Sequence, residues 1–401
     1  MTMKGNKRVI LHIIFDTIFF DRTSERFDEM DGYVNYYLYR SYKEGYPVHF
    51  SYIKNVNKVV TAKDEKEWKE IITNPEIDII YFHGMWLESL ECFKYIPRRV
   101  IVIWWCFGRE IYENCWGFAP LLSIKYLKPK TYFFKQKMII GDFRQLFLSN
   151  FEYFNPSFFD RMRLIRAYNR NKFSLIKKML ERVDYIFTPL PIEYEMLKKK
   201  VKYLKAKPFR LYPSSIIKYS PVQHNEVGGV LFDHSAMLTN NHLDLLHALK
   251  KIDLSGRKIY IPLNYGDERV REEMKKHSNF CGSETVFIEH PLSFTVYKEL
   301  VTNCTHALFG AIRQCALGNI YLCFQLGVKV FFFKDSILYT SFKKEGYIVF
   351  LIDDLTQDSI QRPLTEEEIA YNRELFYKKN DNRETYNKKF DKLIESHNLN
   401  S

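Results

Sequence analysis

No stretch of the 401-residue chain approaches the roughly 20 consecutive apolar residues that a membrane-spanning helix needs. The longest apolar run, Val100–Gly108, has the length of a strand. Cysteine is sparse: seven residues (Cys92, Cys106, Cys115, Cys281, Cys304, Cys315, Cys323), an odd number with no Cys-x-x-Cys pair. That excludes a disulfide framework or zinc knuckle and fits reduced thiols in a cytoplasm. The 16 glycines form no Gly-x-Gly-x-x-Gly, no Walker loop and no Gly-x-Ser-x-Gly elbow. Dehydrogenase, kinase-type and hydrolase readings therefore lose their usual anchors. Asp21 and Asp28 make no Asp-x-Asp pair, so no metal-bridged nucleotide site is expected. Nor is there a 20–50-residue repeat or a low-complexity tract. The start, MTMKGNKRVILHIIFD, is basic, but its apolar run stops at Asp16 without a cleavage-like site. It reads as a first β-strand and not as a signal peptide.

What the chain does contain is a core. Hydrophobic residues make up 46 % and charged residues 27 %, enough to bury two domains. Short apolar runs alternate with helical stretches. The runs are Arg8–Phe15, Pro47–Ile53, Ile77–Phe82, Val100–Phe107 and Val183–Phe187, then Val227–Phe232, Lys258–Leu263, Thr285–Glu289, Ala307–Gly310, Val328–Phe333 and Tyr347–Leu351. Strands that are apolar throughout predict parallel sheets covered on both faces. Two such series predict two doubly wound α/β domains, over 1–215 and 225–360. A Pro- and Ser-containing linker at Leu211–Glu226 joins them, and a helical tail follows over 361–401.

Charge is uneven. Lys plus Arg number 60 against 48 Asp plus Glu, a net charge of +12. Such a balance points to an anionic partner. Most of the excess sits in Pro120–Arg182, with 14 Lys and Arg against four Asp and Glu. Aromatics are interleaved there: Tyr126, Tyr132, Phe133, Phe134, Phe147, Phe151, Phe154, Phe158 and Phe159 among them. Cations for lipid phosphates and rings for the headgroup layer make this excursion of the first domain a candidate for an anionic membrane surface. The other reading is an excursion whose rings pack on the protein and whose cations are solvated. No nucleic-acid motif accompanies it, and nucleic acid is not expected as a partner.

Candidate chemistry clusters where strands hand over to helices. Ser235, Thr239 and Asn240 follow the first strand of the second domain. Hydroxyls and exposed N–H groups at such a place bind phosphate, although Thr239 or Asn240 would serve equally as a plain N-cap. Tyr265, in IPLNYGD, lies at a carboxyl-terminal strand edge, where open sheets bind ligands. In HALFGAIRQCALGNIYLC, Arg313-Gln314 ends a strand and Gly318-Asn319 opens a helix. The guanidinium fork suits a diphosphate, and glycine permits close backbone approach. In the first domain, His12 and Asp16 follow strand one, His83-Gly84 strand three, and Phe107–Tyr112 strand four. Asp16, His83 or Glu110 is the candidate base for an acceptor hydroxyl. A nucleotide leaving group stabilised on one side and an activated hydroxyl on the other is what glycosyl transfer requires. A non-catalytic membrane or nucleic-acid adaptor on the same two sheets is the competing reading, as is a glycosyltransferase with a different donor.

Six pieces stand in family order: Leu11–Asp16, Phe82–Gly84, Trp104…Gly108-x-Glu110-x-Tyr112, Ser235…Thr239-Asn240-Asn241-His242, Pro262…Tyr265-Gly266 and Arg313-Gln314…Gly318-Asn319. On these the chain resembles the TDP-N-acetylfucosamine:lipid II N-acetylfucosaminyltransferase family, also called 4-acetamido-4,6-dideoxygalactose transferase, of bacterial surface-polysaccharide synthesis. Asp233-His234 stands where members of that family tend to carry Gly-Asn. The resemblance implies a glycosyltransferase-B fold with two Rossmann-like domains facing across a cleft. It implies a dTDP- or UDP-sugar donor on the second domain and a polyprenyl-diphosphate-linked glycan acceptor on the first. It also implies no cofactor or obligatory metal, and a cytoplasmic enzyme peripheral to the inner membrane. On that reading Arg313, Gln314, Gly318 and Asn319 hold the diphosphate, with Ser235, Thr239 and Asn240 assisting and Tyr265 near the base. In such folds the last helix often crosses back to the first domain, and Tyr371–Phe390 is the candidate.

Overall fold

The structure, a computed structural model, describes residues 7–17, 19–39, 49–85, 87–112, 121–122, 124–149, 174–210, 228–379 and 383–398. The expected linker Leu211–Glu226 and part of the basic aromatic segment, including 150–173, lie outside the described residues. The chain divides into two compact units. One comprises the described residues of Met1–Ser123, Ser157–Ser215 and Asp381–Ser401, the other those of Ile124–Pro156 and Ile216–Asn380.

The first unit is built on strands β1 (Arg8–Ile14), β2 (Tyr33–Tyr39), β3 (Val59–Val60), β4 (Ile77–His83), β5 (Ile101–Trp105), β6 (Tyr185–Phe187) and β7 (Lys207–Pro208), in the order β3-β2-β1-β4-β5-β6-β7. Every pairing is parallel. β1 is buried from Val9 to Ile14 and β4 almost throughout, as expected of strands with helices on both faces. A register shift between Val9 and Ile10 is bridged by Asp78, whose carboxylate accepts the Val9 N–H at 2.8 Å.

β2 departs from the sequence expectation, which placed a strand at Pro47–Ile53. Residues 49–53 are irregular. The N–H groups of Ser51, Tyr52 and Ile53 go to the Asp16 carboxylate, at 2.6, 3.0 and 3.0 Å, and not to a neighbouring strand. The strand lies instead at YVNYYLY, whose hydroxyls obscure its apolar pattern. Tyr37 buries its ring because its hydroxyl reaches Ser24 O and Asp28, and Tyr33 does the same through Asp391.

The second unit holds β8 (Gly229–Phe232), β9 (Lys258–Pro262), β10 (Glu284–Ile288), β11 (Cys304–Phe309), β12 (Lys329–Phe332) and β13 (Phe350–Leu351), all parallel, in the order β10-β9-β8-β11-β12-β13. All six strands overlap the runs expected from the sequence. In each sheet the direction of strand addition reverses once, between β1 and β4 and between β8 and β11. Loops splay apart at such a point and leave a crevice at the carboxyl ends of the strands.

The expected domain boundaries need two corrections. Residues 124–149, assigned from sequence to the first domain, belong to the second unit. Side chains of the second unit hold their backbone: the Asn241 amide donates to Tyr126 O at 3.0 Å and accepts from Lys128 N at 2.8 Å. The Asp244 carboxylate accepts from Lys130 N and Thr131 N at 3.0 and 2.9 Å, at the start of helix Pro129–Ser149. The tail is likewise not one piece. Helix Glu366–Lys379 belongs to the second unit, whereas helix Arg383–Asn398 buries Tyr386, Phe390 and Ile394 against Phe27, Tyr33 and Phe209 of the first. The chain thus returns to its first unit, as the expected crossing helix required, within Tyr371–Phe390.

Phe390 is fully buried. Truncation to alanine in a packed core typically costs about 3–5 kcal/mol. Phe390→Ala is therefore expected to lower the urea midpoint of the first unit strongly, whereas exposed Lys388→Ala leaves it unchanged.

Candidate functional site

In the second unit the loops after β8, β9 and β11 are tied to one another. Asp233 leaves β8 in the left-handed region, φ 58°. Its carboxylate accepts the Gly310 N–H at 2.8 Å across the switch point and contacts His234 Nδ1 at 2.5 Å. Aspartate tolerates this backbone better than most residues. Gly310 has no alternative residue: a Cβ there would lie 2.1 Å from Asn240 O. Ala236 bridges to Gly266, with Ala236 N donating to Tyr265 O at 2.8 Å and Asp267 N to Ala236 O at 2.9 Å. Asn241, also left-handed, donates to Gly310 O at 2.9 Å.

The expected donor-binding residues fall on these loops. Asn240 donates to Ser235 O at 2.8 Å and Ser235 Oγ at 3.0 Å, so both side chains are buried and fix the loop. Arg313 is 8 % exposed; its guanidinium donates to Gln314 O at 3.1 Å and to Thr239 Oγ1 at 3.5 Å. Ala316, left-handed, starts helix Leu317–Leu326, and no side chain caps it. Gly318 and Asn319 lie in its first turn. A Cβ on Gly318 would meet nothing within 4 Å, so neither packing nor a positive φ requires glycine there. Tyr265 is 48 % exposed, with its ring 6.1 Å from that of His234. The result is a buried guanidinium beside an uncapped helix start, the electrostatic arrangement that receives phosphate oxygens.

In the first unit, Asp16 and Glu110 follow β1 and β5 and His83 ends β4; the three strands are adjacent in the sheet, so all three residues lie toward one strand edge. Their surroundings differ. Asp16 holds the three N–H groups of 51–53. Glu110, fully buried, accepts from Trp104 Nε1 at 2.8 Å, from Phe107 N at 2.5 Å and from Met85 N. Burial pushes its pKa up to about 8, with these donors pulling the other way. Both carboxylates therefore anchor loops, and Glu110 fixes the turn two residues beyond His83. His83 pairs instead with a second imidazole. Its Nε2 lies 2.8 Å from His12 Nδ1, and burial holds its pKa well below the usual histidine range. His12 is not after strand one, as expected, but inside β1. Trp105 stands 5.7 Å from His83 and stacks on Phe107 at 5.1 Å, and Phe107 meets Phe15 edge-on at 5.8 Å. These half-buried rings border His83 and suit the C–H face of a sugar. Trp105 and Asn35, the latter bonded to His12, escaped sequence reasoning because only pairing of β4 with β5 and of β1 with β2 brings them near.

Helix Pro129–Ser149 settles between the two readings of the basic aromatic segment. Ile124, Tyr126 and Phe134 pack on the second unit's core. Tyr132, Phe133 and Ile140 remain 48, 64 and 66 % exposed, alongside exposed Lys130 and Lys137. Among the described residues no helix is long and apolar enough to cross a membrane.

Two Rossmann-like units, each built on a parallel sheet with one switch point, make up the glycosyltransferase-B fold. Solved structures of that architecture align along nearly the whole chain. Sucrose-phosphate synthase from Thermosynechococcus elongatus does so with a TM-score of 0.60 at 10 % identity, covering 98 % of this chain and 100 % of that one. Anabaena HepE in complex with UDP and glucose gives 0.59 at 9 %, covering 97 % and 100 %. The lipopolysaccharide outer core galactosyltransferase WaaB gives 0.55 at 10 %, covering 98 % and 99 %. No protein with a curated description matches. The chain belongs to the 4-alpha-L-fucosyltransferase family, glycosyl transferase group 56, whose model matches residues 171–380. That membership removes the non-catalytic adaptor.

Four histidines are buried neutral. Burial lowers His12 and His242 to about 4 and His306 to about 3, and depresses His83 as well. A folded pKa below the unfolded value of about 6.5 gives stability that is complete above that pH and is lost as pH falls toward 4. Glu110, raised, acts in the opposite sense but alone. The urea midpoint is therefore expected to be lower at pH 5 than at pH 7; an equal or higher midpoint at pH 5 contradicts the neutral-histidine assignment.

Proposed function

We propose that this glycosyltransferase moves a deoxy-amino-type hexose from a dTDP- or UDP-sugar to a hydroxyl of a polyprenyl-diphosphate-linked oligosaccharide in bacterial surface-polysaccharide synthesis, working as a peripheral enzyme on the cytoplasmic face of the inner membrane. The observation that carries the reading is Arg313, buried beside Thr239 and the uncapped helix start at Leu317. On this reading the guanidinium and the N–H groups of Leu317, Gly318 and Asn319 hold the donor diphosphate. Ser235 and Asn240 fix the adjoining loop, Gln314 lends its carbonyl to Arg313, and Tyr265 lies toward the base. In the transfer the acceptor oxygen bonds to the anomeric carbon. The bond from that carbon to the diphosphate breaks, and its electron pair departs with the nucleoside diphosphate. Negative charge grows on the leaving oxygen, and a preorganised cation with helix N–H groups stabilises it most there. The hydroxyl proton passes to His83. These groups supply the charge a metal would otherwise bring, so turnover in EDTA is expected to stay within about twofold of the untreated rate.

Hydrogen bonds to a charged partner contribute about 1.5–3 kcal/mol. Arg313→Ala is accordingly expected to weaken dTDP- and UDP-sugar binding about 10–100-fold in calorimetry while preserving the unfolding midpoint. Gly318→Leu should do the same, since a helix gains from leucine over glycine and only a ligand would meet the new side chain. Unchanged binding by both variants removes the assignment. A donor panel against lipid-linked acceptors then selects the sugar.

The peripheral location rests on the exposed face of helix Pro129–Ser149, where rings and an aliphatic side chain lie among lysines. Phe133→Asp with Ile140→Asp is expected to abolish co-sedimentation with vesicles containing anionic lipid without altering nucleotide-sugar affinity. Retained co-sedimentation would assign the contact to another surface.

A further inference from the structure

Within the first sheet, three side chains from three adjacent strands form a chain of hydrogen bonds. Asn35 of β2 donates through Nδ2 to Phe27 O at 2.8 Å. A carbonyl only accepts, so the amide orientation is fixed and Oδ1 faces His12 of β1 at 3.0 Å. His12 Nε2 must therefore carry the proton and donate to Asn35. A neutral imidazole has one N–H, which leaves His12 Nδ1 as an acceptor, 2.8 Å from His83 Nε2. His83 Nε2 in turn donates. Its Nδ1 is left with the lone pair, and it makes no hydrogen bond to the described residues.

We propose that Asn35 and His12 are positioning residues that hold His83 in its Nε2–H form, so that Nδ1 stands ready to accept the proton of the acceptor hydroxyl. The proposal rests on the reading of His83 as the group that receives that proton. The alternative tautomer of His83 would present an N–H there and could take no proton. The hydroxyl hydrogen moves to His83 Nδ1 as its oxygen bonds to the anomeric carbon, and the resulting imidazolium returns it to solvent after the nucleoside diphosphate departs.

The packing around the relay supports one protonation state. His12 is stacked on Tyr37 at 4.7 Å and meets Phe27 edge-on at 4.5 Å, while Tyr81 lies 5.7 Å from His12 and 4.8 Å from His83. The charged and titratable groups facing the pair are few. Asp28 of the first helix is bonded to the Tyr37 hydroxyl and Lys58, and Tyr386 of helix Arg383–Asn398 lies beyond Phe27 with Arg26 over its ring. Glu110 holds the turn after His83. Burial keeps His12 neutral down to about pH 4, so its Nδ1 remains an acceptor wherever the enzyme works.

The experiment has two arms. In the intact protein labelled with 15N-histidine, long-range proton–nitrogen spectra at pH 7.5 are expected to show His83 as the Nε2–H tautomer, assigned by loss of its signals in His83→Gln. An Nδ1–H signal for His83 in the wild type overturns the proposal without any activity measurement. In the second arm, Asn35→Asp preserves side-chain shape but raises the pKa of His12. Once cationic, His12 donates from Nδ1 and forces the His83 proton onto Nδ1. The acid limb of kcat/KM is expected to move up by about one pH unit or more, with KM for the donor unchanged and with recovery at high pH. A profile that does not move overturns the positioning role even if the tautomer is as assigned. Wild-type turnover by His83→Gln instead overturns the acceptor-activation reading on which the proposal rests.

Discussion

A parallel sheet leaves amides at its strand ends with no neighbouring carbonyl, and this protein satisfies them with side-chain acceptors. Asp78 takes the Val9 N–H, Asp184 the Val102 N–H, Asp233 the Gly310 N–H and Asp353 the Lys334 N–H. Glu110 closes the turns after β4 and β5 together, and Asp16 holds residues 51–53. An unsatisfied buried amide costs about 1–3 kcal/mol. The buried ones, at Gly310 and Met85, therefore weigh on the fold as much as a sizeable apolar side chain. Those at the carboxyl edges, from Asp233, Glu110 and Asp16, decide where the loops that carry the candidate residues can stand.

This constraint separates the carboxylates by role. Asp16 and Glu110 have the residue type expected of a base, yet both are committed to backbone N–H groups. His83 is held by another imidazole and keeps a nitrogen lone pair. In the second unit, Asp233 and Asn241 bring the loops after β8 and β11 together, and Arg313 is folded against Thr239 and Gln314. A guanidinium already desolvated and oriented loses little freedom on meeting a diphosphate. Such preorganisation stabilises charge as it develops in transfer.

The helix over Pro129–Ser149 shows how one segment serves two surroundings. Asn241 and Asp244 fasten its start, and Phe134 enters the core, while Phe133 and Ile140 face outward. Only the contacts of its neighbours, not its composition, decide which aromatics are structural. The low hydropathy contrast around this helix is why charge and ring content alone supported two readings of it.

Periodicity and composition were sufficient for the two parallel sheets, since strands covered on both faces are apolar at every position. They also pointed to the carboxyl strand ends, where open α/β sheets gather ligands, as the place to look for candidate residues. The tyrosine-rich β2 was hidden, because hydroxyl partners in other elements allow tyrosine rings to be buried. The return of helix Arg383–Asn398 to the first unit was foreseen, whereas the docking of 124–149 on the second was not, since Asn241 and Asp244 lie more than a hundred residues away in the chain. The amino-acid order by itself determined which residues are available for chemistry. Only the tertiary structure decided which of them are spent on backbone amides and which are left to act, because hydrogen-bond satisfaction depends on neighbours brought together by strand pairing.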